Sequence, residues 1–238
     1  MQHTRASHFP QTHFPQTYFP QRSRMTTGQQ RAWDRSWDRW GVDVADLPDG
    51  PLDTAGWFGR TAPVVLEIGS GMGESTAAMA VDAPDVDHLA VEVYRPGLAQ
   101  LLLRIEQAGI TNLRLLRGDA QTLLTKHVAP GSLHAVRIYF PDPWPKHRHH
   151  KRRLVRPEFI ALVTSRLEPG GIVHLATDWE PYAAEMLTVC TAEPELRNLA
   201  AGNGFAARPA WRPVTKFEQR ARDEGRAVRD LLFMRQDR

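Results

Sequence analysis

The chain from Pro63 onward alternates short apolar runs with longer amphipathic stretches. The apolar runs have the length of buried strands and lie at Val64–Ile68, His88–Val93, Leu113–Leu116, Ala135–Phe140, Ile172–Leu175 and Leu231–Met234. The stretches between them have helical spacing or a proline at their start, which predicts helices at Glu74–Val81, Pro96–Ala108, Ala120–His127, Pro157–Leu167 and Trp179–Thr191. Strands that alternate with helices are typical of an α/β fold with a parallel, doubly wound sheet.

A proline-rich repeat begins the chain. Residues 8–21 read HFPQT, HFPQT and YFPQ, and proline both removes a backbone donor and disfavours helix in the residue before it. We therefore expect residues 1–21 to be a disordered tail. An arm whose aromatic residues stack on RNA bases is the alternative.

The next segment, residues 22–62, is basic at its start and rich in tryptophan. Trp33, Trp37 and Trp40 have the spacing of one helix face. We expect this face to dock on the main domain, residues 63–238. A surface of arginine and tryptophan that faces RNA is the alternative.

Composition limits the classes of protein that fit. The chain has 238 residues, 42% of them hydrophobic, which suffices for one α/β domain with a buried core. No apolar run reaches the ~18 residues of a membrane-spanning helix, and the first segment lacks the apolar core of a signal peptide. We expect a cytoplasmic protein whose single cysteine, Cys190, is a small buried side chain. No segment indicates an obligatory protein subunit.

Positive charge is clustered, although the net charge of +3 is small. Residues 146–156 (KHRHHKRRLVR) contain six Lys or Arg, three His and no acid. Such a cluster is typical of a nucleic-acid-binding face, and an ordinary solvated face is the alternative. His147, His149 and His150 have no cysteine beside them, so we expect no metal site.

A glycine-rich loop follows the first predicted strand. Gly69, Gly71 and Gly73 lie in VVLEIGSGMGES, between that strand and a predicted helix. Glycines at these positions permit tight turns and let a ligand approach the backbone. The G-x-G-x-G spacing differs from the dinucleotide fingerprint G-x-G-x-x-G.

Three acidic residues belong to the same predicted ligand site. Glu92 ends the second strand, where it can accept hydrogen bonds from both hydroxyls of a ribose. Asp119 follows the third strand and can bind an adenine amino group or cap the next helix. Glu67 lies inside the first strand, as a partner of the ligand's amino end or the loop, or as a satisfied buried acid. These residues resemble the S-adenosylmethionine site of class I methyltransferases, which implies a Rossmann-like, seven-stranded sheet with an antiparallel last strand.

The segment after the fourth strand carries the most specific motif. Residues 140–146 read FPDPWPK, and three prolines stiffen the chain where a site of this fold lies; a rigid turn is the alternative. This motif, the basic run, ATDWEPYA at residues 176–183 and TKFE at residues 215–218 resemble the bacterial tRNA (guanine-N7-)-methyltransferase family. RSRMTTGQ at residues 22–29 resembles the same family, and the resemblance covers roughly the whole chain after the tail.

The resemblance implies roles for individual residues. Together with the glycine loop, the contacts of S-adenosylmethionine correspond to Glu67, Glu92, Asp119 and Asp142, and Asp142 also corresponds to the catalytic acid. The substrate-binding positions correspond to Lys146, Asp178, Thr215, Lys216, Phe217 and Glu218. The expected phosphate contacts are Arg22, Arg24, Arg148, Lys151, Arg152 and Arg153. Helix capping by Asp178 and a surface ion pair of Glu218 are the alternatives for these two residues.

The implied reaction moves a methyl group from S-adenosylmethionine to N7 of a guanine in the tRNA variable loop, position 46, and releases S-adenosylhomocysteine. N7 carries a lone pair and no proton, so the reaction needs no general base. Asp142 can stabilise the developing positive charge or accept a hydrogen bond from the guanine. A methyltransferase of another substrate class, a silent RNA-binding protein and an NAD-dependent oxidoreductase are the alternatives.

Overall fold

The computed structural model describes residues 24–237, so the predicted tail and Arg22 lie outside it. The helices of this part of the chain are α1 (Thr27–Trp40), α2 (Thr54–Phe58), α3 (Glu74–Asp82), α4 (Arg95–Ala108), α5 (Ala120–Lys126), α6 (Pro157–Arg166), α7 (Glu180–Ala192) and α8 (Lys216–Asp223). Its strands are β1 (Gly41–Asp43), β2 (Val64–Ile68), β3 (Asp87–Glu92), β4 (Leu113–Arg117), β5 (Leu133–Tyr139), β6 (Leu167–Thr177), β7 (Leu196–Asn198) and β8 (Arg229–Arg235). None of these helices combines the length and the apolar character needed to cross a membrane.

The described strands form one sheet in the order β1-β4-β3-β2-β5-β6-β8-β7. β8 runs antiparallel to β6 and β7, and the other neighbouring strands are parallel. The predicted doubly wound, mostly parallel sheet with an antiparallel last strand is confirmed. The expected number of seven strands is wrong for the described chain, because β1 adds an eighth strand beside β4.

Helices cover both faces of the central strands, which explains why those strands are continuous apolar runs. One core cluster lies between the sheet and α5, α6 and α7, and it includes Leu66, Phe159 and Cys190. Cys190 is therefore a buried side chain, as predicted. A second cluster, which includes Trp33 and Leu98, lies on the α4 side. The carboxyl ends of the parallel strands emerge between these two layers.

The tryptophan face of α1 lies against α4. The rings of Trp33 and Trp37 stack with their centroids 4.0 Å apart, and Trp33 is buried. Glu106 of α4 accepts hydrogen bonds from the side chains of Arg35 and Ser36 of α1. These apolar and polar contacts hold the beginning of the described chain against the helix layer of the sheet.

Candidate active site

The carboxyl ends of β2, β3, β4 and β5 meet at one edge of the sheet, because these strands are parallel neighbours. The glycine loop follows β2, Glu92 ends β3, Asp119 follows β4 and the FPDPWPK segment (residues 140–146) follows β5. α8 reaches the same edge, where Lys216 Nζ lies 4.0 Å from Glu74 Oε2 at the start of α3. The sheet thus gathers the acids that were expected to share a ligand site.

Positive backbone φ angles explain the glycines of the loop. The φ angle is 80° at Gly69, 55° at Gly71 and 71° at Gly73, a region that residues with a Cβ atom rarely occupy. A Cβ atom at Gly69 or Gly71 would have no atom within 4 Å, whereas one at Gly73 would lie 2.5 Å from the Leu101 side chain. The first two glycines therefore face open space that a ligand can enter, and the third permits packing against α4.

The Glu92 carboxylate holds the glycine loop in place. Its Oε2 accepts a hydrogen bond from the Gly71 N–H at 2.9 Å, and its Oε1 accepts from the N–H groups of Val93 and Tyr94 at 2.7 and 2.9 Å. Because a carboxylate oxygen has about two lone-pair sites, Oε2 keeps one acceptor position. In this arrangement Glu92 can receive one ligand hydroxyl, rather than the two expected from the sequence.

Asp119 caps α5. Its Oδ1 accepts hydrogen bonds from the Thr122 N–H at 2.7 Å and from the Thr122 hydroxyl at 2.9 Å. The helix-cap alternative is therefore observed. Since a cap can also contact a ligand, binding of an adenine amino group by Asp119 stays a prediction.

Glu67 is buried in β2, and the strand register places it opposite Arg137 of β5. Burial raises the pKa of the Glu67 carboxyl to about 7, while Thr76 and Arg137 act in the opposite direction. The carboxyl is therefore balanced between its neutral and charged forms near neutral pH. A cationic ligand group beside it would favour the charged form.

The FPDPWPK segment has a strained backbone. The φ angle is 50° at Phe140 and 43° at Trp144, in the left-handed region that costs of order 1–3 kcal/mol for residues other than glycine. The Phe140 N–H donates to the Ala176 carbonyl at 2.7 Å, and the Arg152 guanidinium lies 4.9 Å from the Trp144 ring centroid. Asp142 lies between Phe140 and Trp144 in the chain and is exposed. No hydrogen bond or ion pair from another described residue engages its carboxylate. A strained segment that presents a free carboxylate is typical of a functional site rather than of a simple turn.

Arg153 anchors this segment from inside the protein. It is 2% exposed, its Nε donates to the Pro143 carbonyl at 2.9 Å, and its guanidinium forms an ion pair with Glu185. The expectation that Arg153 contacts an RNA phosphate is wrong, because the 3-10 helix at His147–Arg152 ends by turning this side chain inward. The other cations expected to face phosphates are exposed: Arg24, Arg148, Lys151 and Arg152, together with the substrate candidate Lys146.

The TKFE sequence begins α8, and two of its residues anchor that helix. Thr215 is the N-cap residue, and its hydroxyl accepts a hydrogen bond from the Glu218 N–H at 3.1 Å. Glu218 is 1% exposed and forms ion pairs of 2.5 Å with Arg212 and Arg222. The alternative of a surface ion pair for Glu218 is therefore wrong.

The other two TKFE residues, Lys216 and Phe217, face solvent. Phe217 is 67% exposed, and its ring centroid lies 6.4 Å from that of Phe140, with 25° between the ring planes. Asp178 forms an ion pair of 2.9 Å with Arg226 and does not cap α7, whose N-cap residue is the next one along the chain. Capping is thus the wrong interpretation of Asp178, and the contacts of these residues with a substrate stay predictions.

Comparison with known proteins identifies the family. A family model described as "Putative methyltransferase" matches residues 61–231. The chain is 54% identical over 215 residues to a tRNA (guanine-N(7)-)-methyltransferase of Streptomyces avermitilis, which covers 90% of this chain and 73% of the relative. It is 50% identical over 210 residues to the protein of the same name from Alcanivorax borkumensis, over 88% of this chain and 87% of the relative. The chain belongs to the tRNA (guanine-N(7)-)-methyltransferase family.

The fold of this family member is similar to that of solved methyltransferase structures. The 16S rRNA methyltransferase KamB has a TM-score of 0.54 at 15% identity, over 82% of this chain and 99% of that chain. At this identity the likeness concerns the fold alone. The predicted Rossmann-like methyltransferase fold is confirmed.

A buried polar network lies beside the candidate site, and the sequence did not predict it. The Tyr139 hydroxyl lies 2.8 Å from His174 Nδ1, and His174 Nε2 lies 2.7 Å from Asp230 Oδ1. Arg212 donates to both carboxylate oxygens of Asp230. The sequence signal was His174 inside the apolar run of residues 172–175 and Asp230 directly before the apolar run of residues 231–234, because a buried polar group needs a partner.

The pH dependence of stability should reveal the Glu67 carboxyl. Between its usual pKa of 4.5 and the raised value of about 7, the folded state keeps a proton that the unfolded state has lost, so the free energy of unfolding falls as pH rises. The loss is about 3 kcal/mol at most by pH 8. Glu67→Gln lacks this loss, so in urea titrations the variant should gain stability relative to the native protein from pH 5 to pH 8. A stability difference that does not change with pH would contradict the raised pKa.

Proposed function

We propose that this protein transfers the methyl group of S-adenosylmethionine to N7 of guanine 46 in the variable loop of tRNA. Its relatives are named tRNA (guanine-N(7)-)-methyltransferases. The observation that carries the proposal is the free carboxylate of Asp142, which a strained, proline-rich segment presents beside an open glycine loop.

The residues around the glycine loop fit S-adenosylmethionine, which when bound would supply an electrophilic methyl group on a sulfonium. Open space lies over Gly71, and the Ser70 hydroxyl oxygen is buried without a hydrogen-bond partner in the described chain. Glu92 has an acceptor position for a ribose hydroxyl. Glu67 is a buried carboxyl suited to the cationic amino-acid end, and Asp119 would contact the adenine amino group.

The chemistry at guanine requires orientation and charge stabilisation. The N7 lone pair forms the new N–C bond, the C–S bond breaks, and its electron pair stays on sulfur, which gives S-adenosylhomocysteine and a cationic purine. No proton leaves N7, so no side chain needs to act as a base. The carboxylate of Asp142 would stabilise the developing positive charge, and Pro141 and Pro143 restrict the backbone that presents it.

The tRNA would lie across the exposed basic surface and the start of α8. Lys146, Arg148, Lys151 and Arg152 are exposed on one run of chain, where they can hold phosphates. Phe217 offers an exposed ring on which an extruded base can stack. Extrusion of the guanine would bring its N7 edge into the site, and Asp178 is the further candidate for a guanine contact.

Arg152→Ala and Arg153→Ala should separate phosphate binding from loop anchoring. Arg152 is exposed, so its loss should reduce the slope of log K for tRNA against log salt by roughly 0.7–0.9. Arg153→Ala should leave that slope unchanged and lower the melting temperature, because Pro143 and Glu185 lose their partner. Binding titrations from about 50 to 200 mM salt measure the slopes. An equal change of slope in both variants would restore Arg153 as a phosphate contact.

Two tRNA transcripts test the proposed function directly. The first carries guanosine at position 46, and the second carries 7-deazaguanosine there, which keeps the base's pairing edge and lacks N7. With S-adenosylmethionine, nucleoside mass spectrometry should find 7-methylguanosine only in the first transcript. Methylation of both transcripts would overturn the assignment of N7 at position 46. Absence of methylation with the cofactor bound would overturn tRNA methylation altogether.

A further inference from the structure

The buried guanidinium of Arg212 touches two segments on the substrate side of the site. We infer that Arg212 is a positioning residue, which fixes the exposed edge of α8 at Lys216 and Phe217 against the FPDPWPK segment. The inference rests on the proposed function, in which the substrate guanine meets both segments. Arg212 itself is 0% exposed and would not contact the tRNA.

The first contact of Arg212 connects α8 to the sheet. Its Nε and Nη2 donate to the two carboxylate oxygens of Asp230 in β8 at 2.8 and 2.9 Å, and its Nη1 donates to Glu218 Oε2 at 2.5 Å. A bidentate pair fixes the plane of the guanidinium, so Glu218 has a defined position relative to β8. Because Phe217 precedes Glu218 in the same helical turn, the backbone position of Phe217 is defined as well.

The second contact of Arg212 connects the same group to the FPDPWPK segment. The guanidinium carbon lies 5.8 Å from the ring centroid of Tyr139 and 6.0 Å from that of Phe140. Phe140 begins the segment in a left-handed conformation, and its ring also faces the ring of Phe217. One side chain therefore connects Phe140 at the start of this segment with the helix that carries Phe217.

Stability alone is a poor explanation for this arrangement. Burying ions costs desolvation energy, and apolar residues of similar volume often stabilise a protein as well as a buried ion pair does. Asp230 also has a hydrogen-bond partner other than Arg212, because it accepts from His174. His174 in turn contacts the Tyr139 hydroxyl. The charged arrangement defines the geometry of the site through directional hydrogen bonds. An apolar cluster has no such fixed directions.

Arg212→Lys tests the inference, since lysine keeps the charge and loses the bidentate geometry. We expect kcat/KM for tRNA to fall by about 10- to 100-fold, with the Kd of S-adenosylmethionine within about twofold of the native value. Phe217→Ala should cost about 10-fold in the native background and less than about twofold in the Arg212→Lys background. Arg166→Lys is the matched control, because Arg166 is buried and donates to the Leu124 carbonyl away from the site. It should lower the melting temperature without changing kcat/KM for tRNA.

Additive effects of Arg212→Lys and Phe217→Ala would overturn the inference, and so would equal losses of tRNA and cofactor affinity. If Arg212→Lys does not fold, Asp230→Asn removes the charge from the bidentate partner of Arg212 with little change of shape and should show the same kinetic pattern. Hydrogen exchange of the ligand-free protein provides a readout that is independent of activity: Arg212→Lys should speed exchange of the α8 amides and leave β5 unchanged. If the native protein does not methylate tRNA, the proposed function fails, and this exchange measurement still decides whether Arg212 holds α8.

Discussion

Asp142→Asn should lower kcat for methylation of tRNA by about 100- to 1,000-fold, which is the cost of removing one fixed electrostatic group from a transition state. The carboxylate is exposed and free of partners among the described residues, and its backbone lies between Phe140 and Trp144, both in the left-handed region. Asparagine keeps the shape and one acceptor oxygen and removes the charge. The Kd of S-adenosylmethionine should therefore rise by much less than kcat falls. Single-turnover methyl transfer and equilibrium cofactor binding measure the two effects.

A tRNA with inosine at position 46 distinguishes the two roles proposed for Asp142. Inosine lacks the amino group of guanine and keeps N7, so charge stabilisation by Asp142 should act on both bases. If Asp142 instead accepts a hydrogen bond from that amino group, the native protein should be less active on the inosine tRNA than on the guanosine tRNA. On the inosine tRNA, Asp142→Asn should then be as active as the native protein. Asp85→Asn is the matched control, because Asp85 is exposed in the turn before β3, at the opposite end of the strand. Activity of Asp142→Asn equal to that of this control would exclude both roles.

The central part of the fold could be predicted because buried parallel strands leave a clear pattern. β2 has five consecutive buried residues, and each covered strand of this kind appears as an apolar run bounded by turns. β1 and β7 could not be predicted, since strands of three residues are too short to show a period. β1 forms because α1 docks on α4 and brings the following residues beside β4, and such a long-range contact leaves no local pattern.

The part of the candidate site that could be predicted consists of acidic residues at the carboxyl ends of predicted strands. Strand ends predict Glu92 and Asp119 as site candidates, but the loop hydrogen bonds of Glu92 depend on the folded path of the glycine loop. The inward turn of Arg153 was hidden, because six neighbouring cations give no sign of which one faces the interior. Arg212 was missed for a related reason, since its partner Asp230 lies 18 residues away in sequence.

Glu92→Gln should raise the Kd of S-adenosylmethionine by about 100-fold, although the two side chains have nearly the same shape. The carboxylate accepts from three backbone N–H groups, at Gly71, Val93 and Tyr94, and an amide offers only one oxygen. Either orientation of the amide directs its NH₂ group at a backbone N–H. The variant therefore loses at least one charge-assisted hydrogen bond between the side chain and the loop, worth about 1.5–3 kcal/mol. The loop around Gly71 then loses its anchor and the ligand loses the remaining acceptor on Oε2, and about 1.4 kcal/mol corresponds to a tenfold change in Kd.

Isothermal titration with S-adenosylmethionine and S-adenosylhomocysteine measures this effect without tRNA. Both ligands should weaken to the same extent if Glu92 contacts the ribose, because they share the ribose and differ at the sulfur, which carries the methyl group and a positive charge only in S-adenosylmethionine. Glu168→Gln is the matched control: Glu168 contacts His134 near the start of β5, away from the carboxyl ends of the strands. A Kd for Glu92→Gln within about threefold of the native value would contradict the proposed contact, since the loss of a single charge-assisted hydrogen bond already exceeds that change. A selective loss for only one of the two ligands would place Glu92 beside the sulfur rather than beside the ribose.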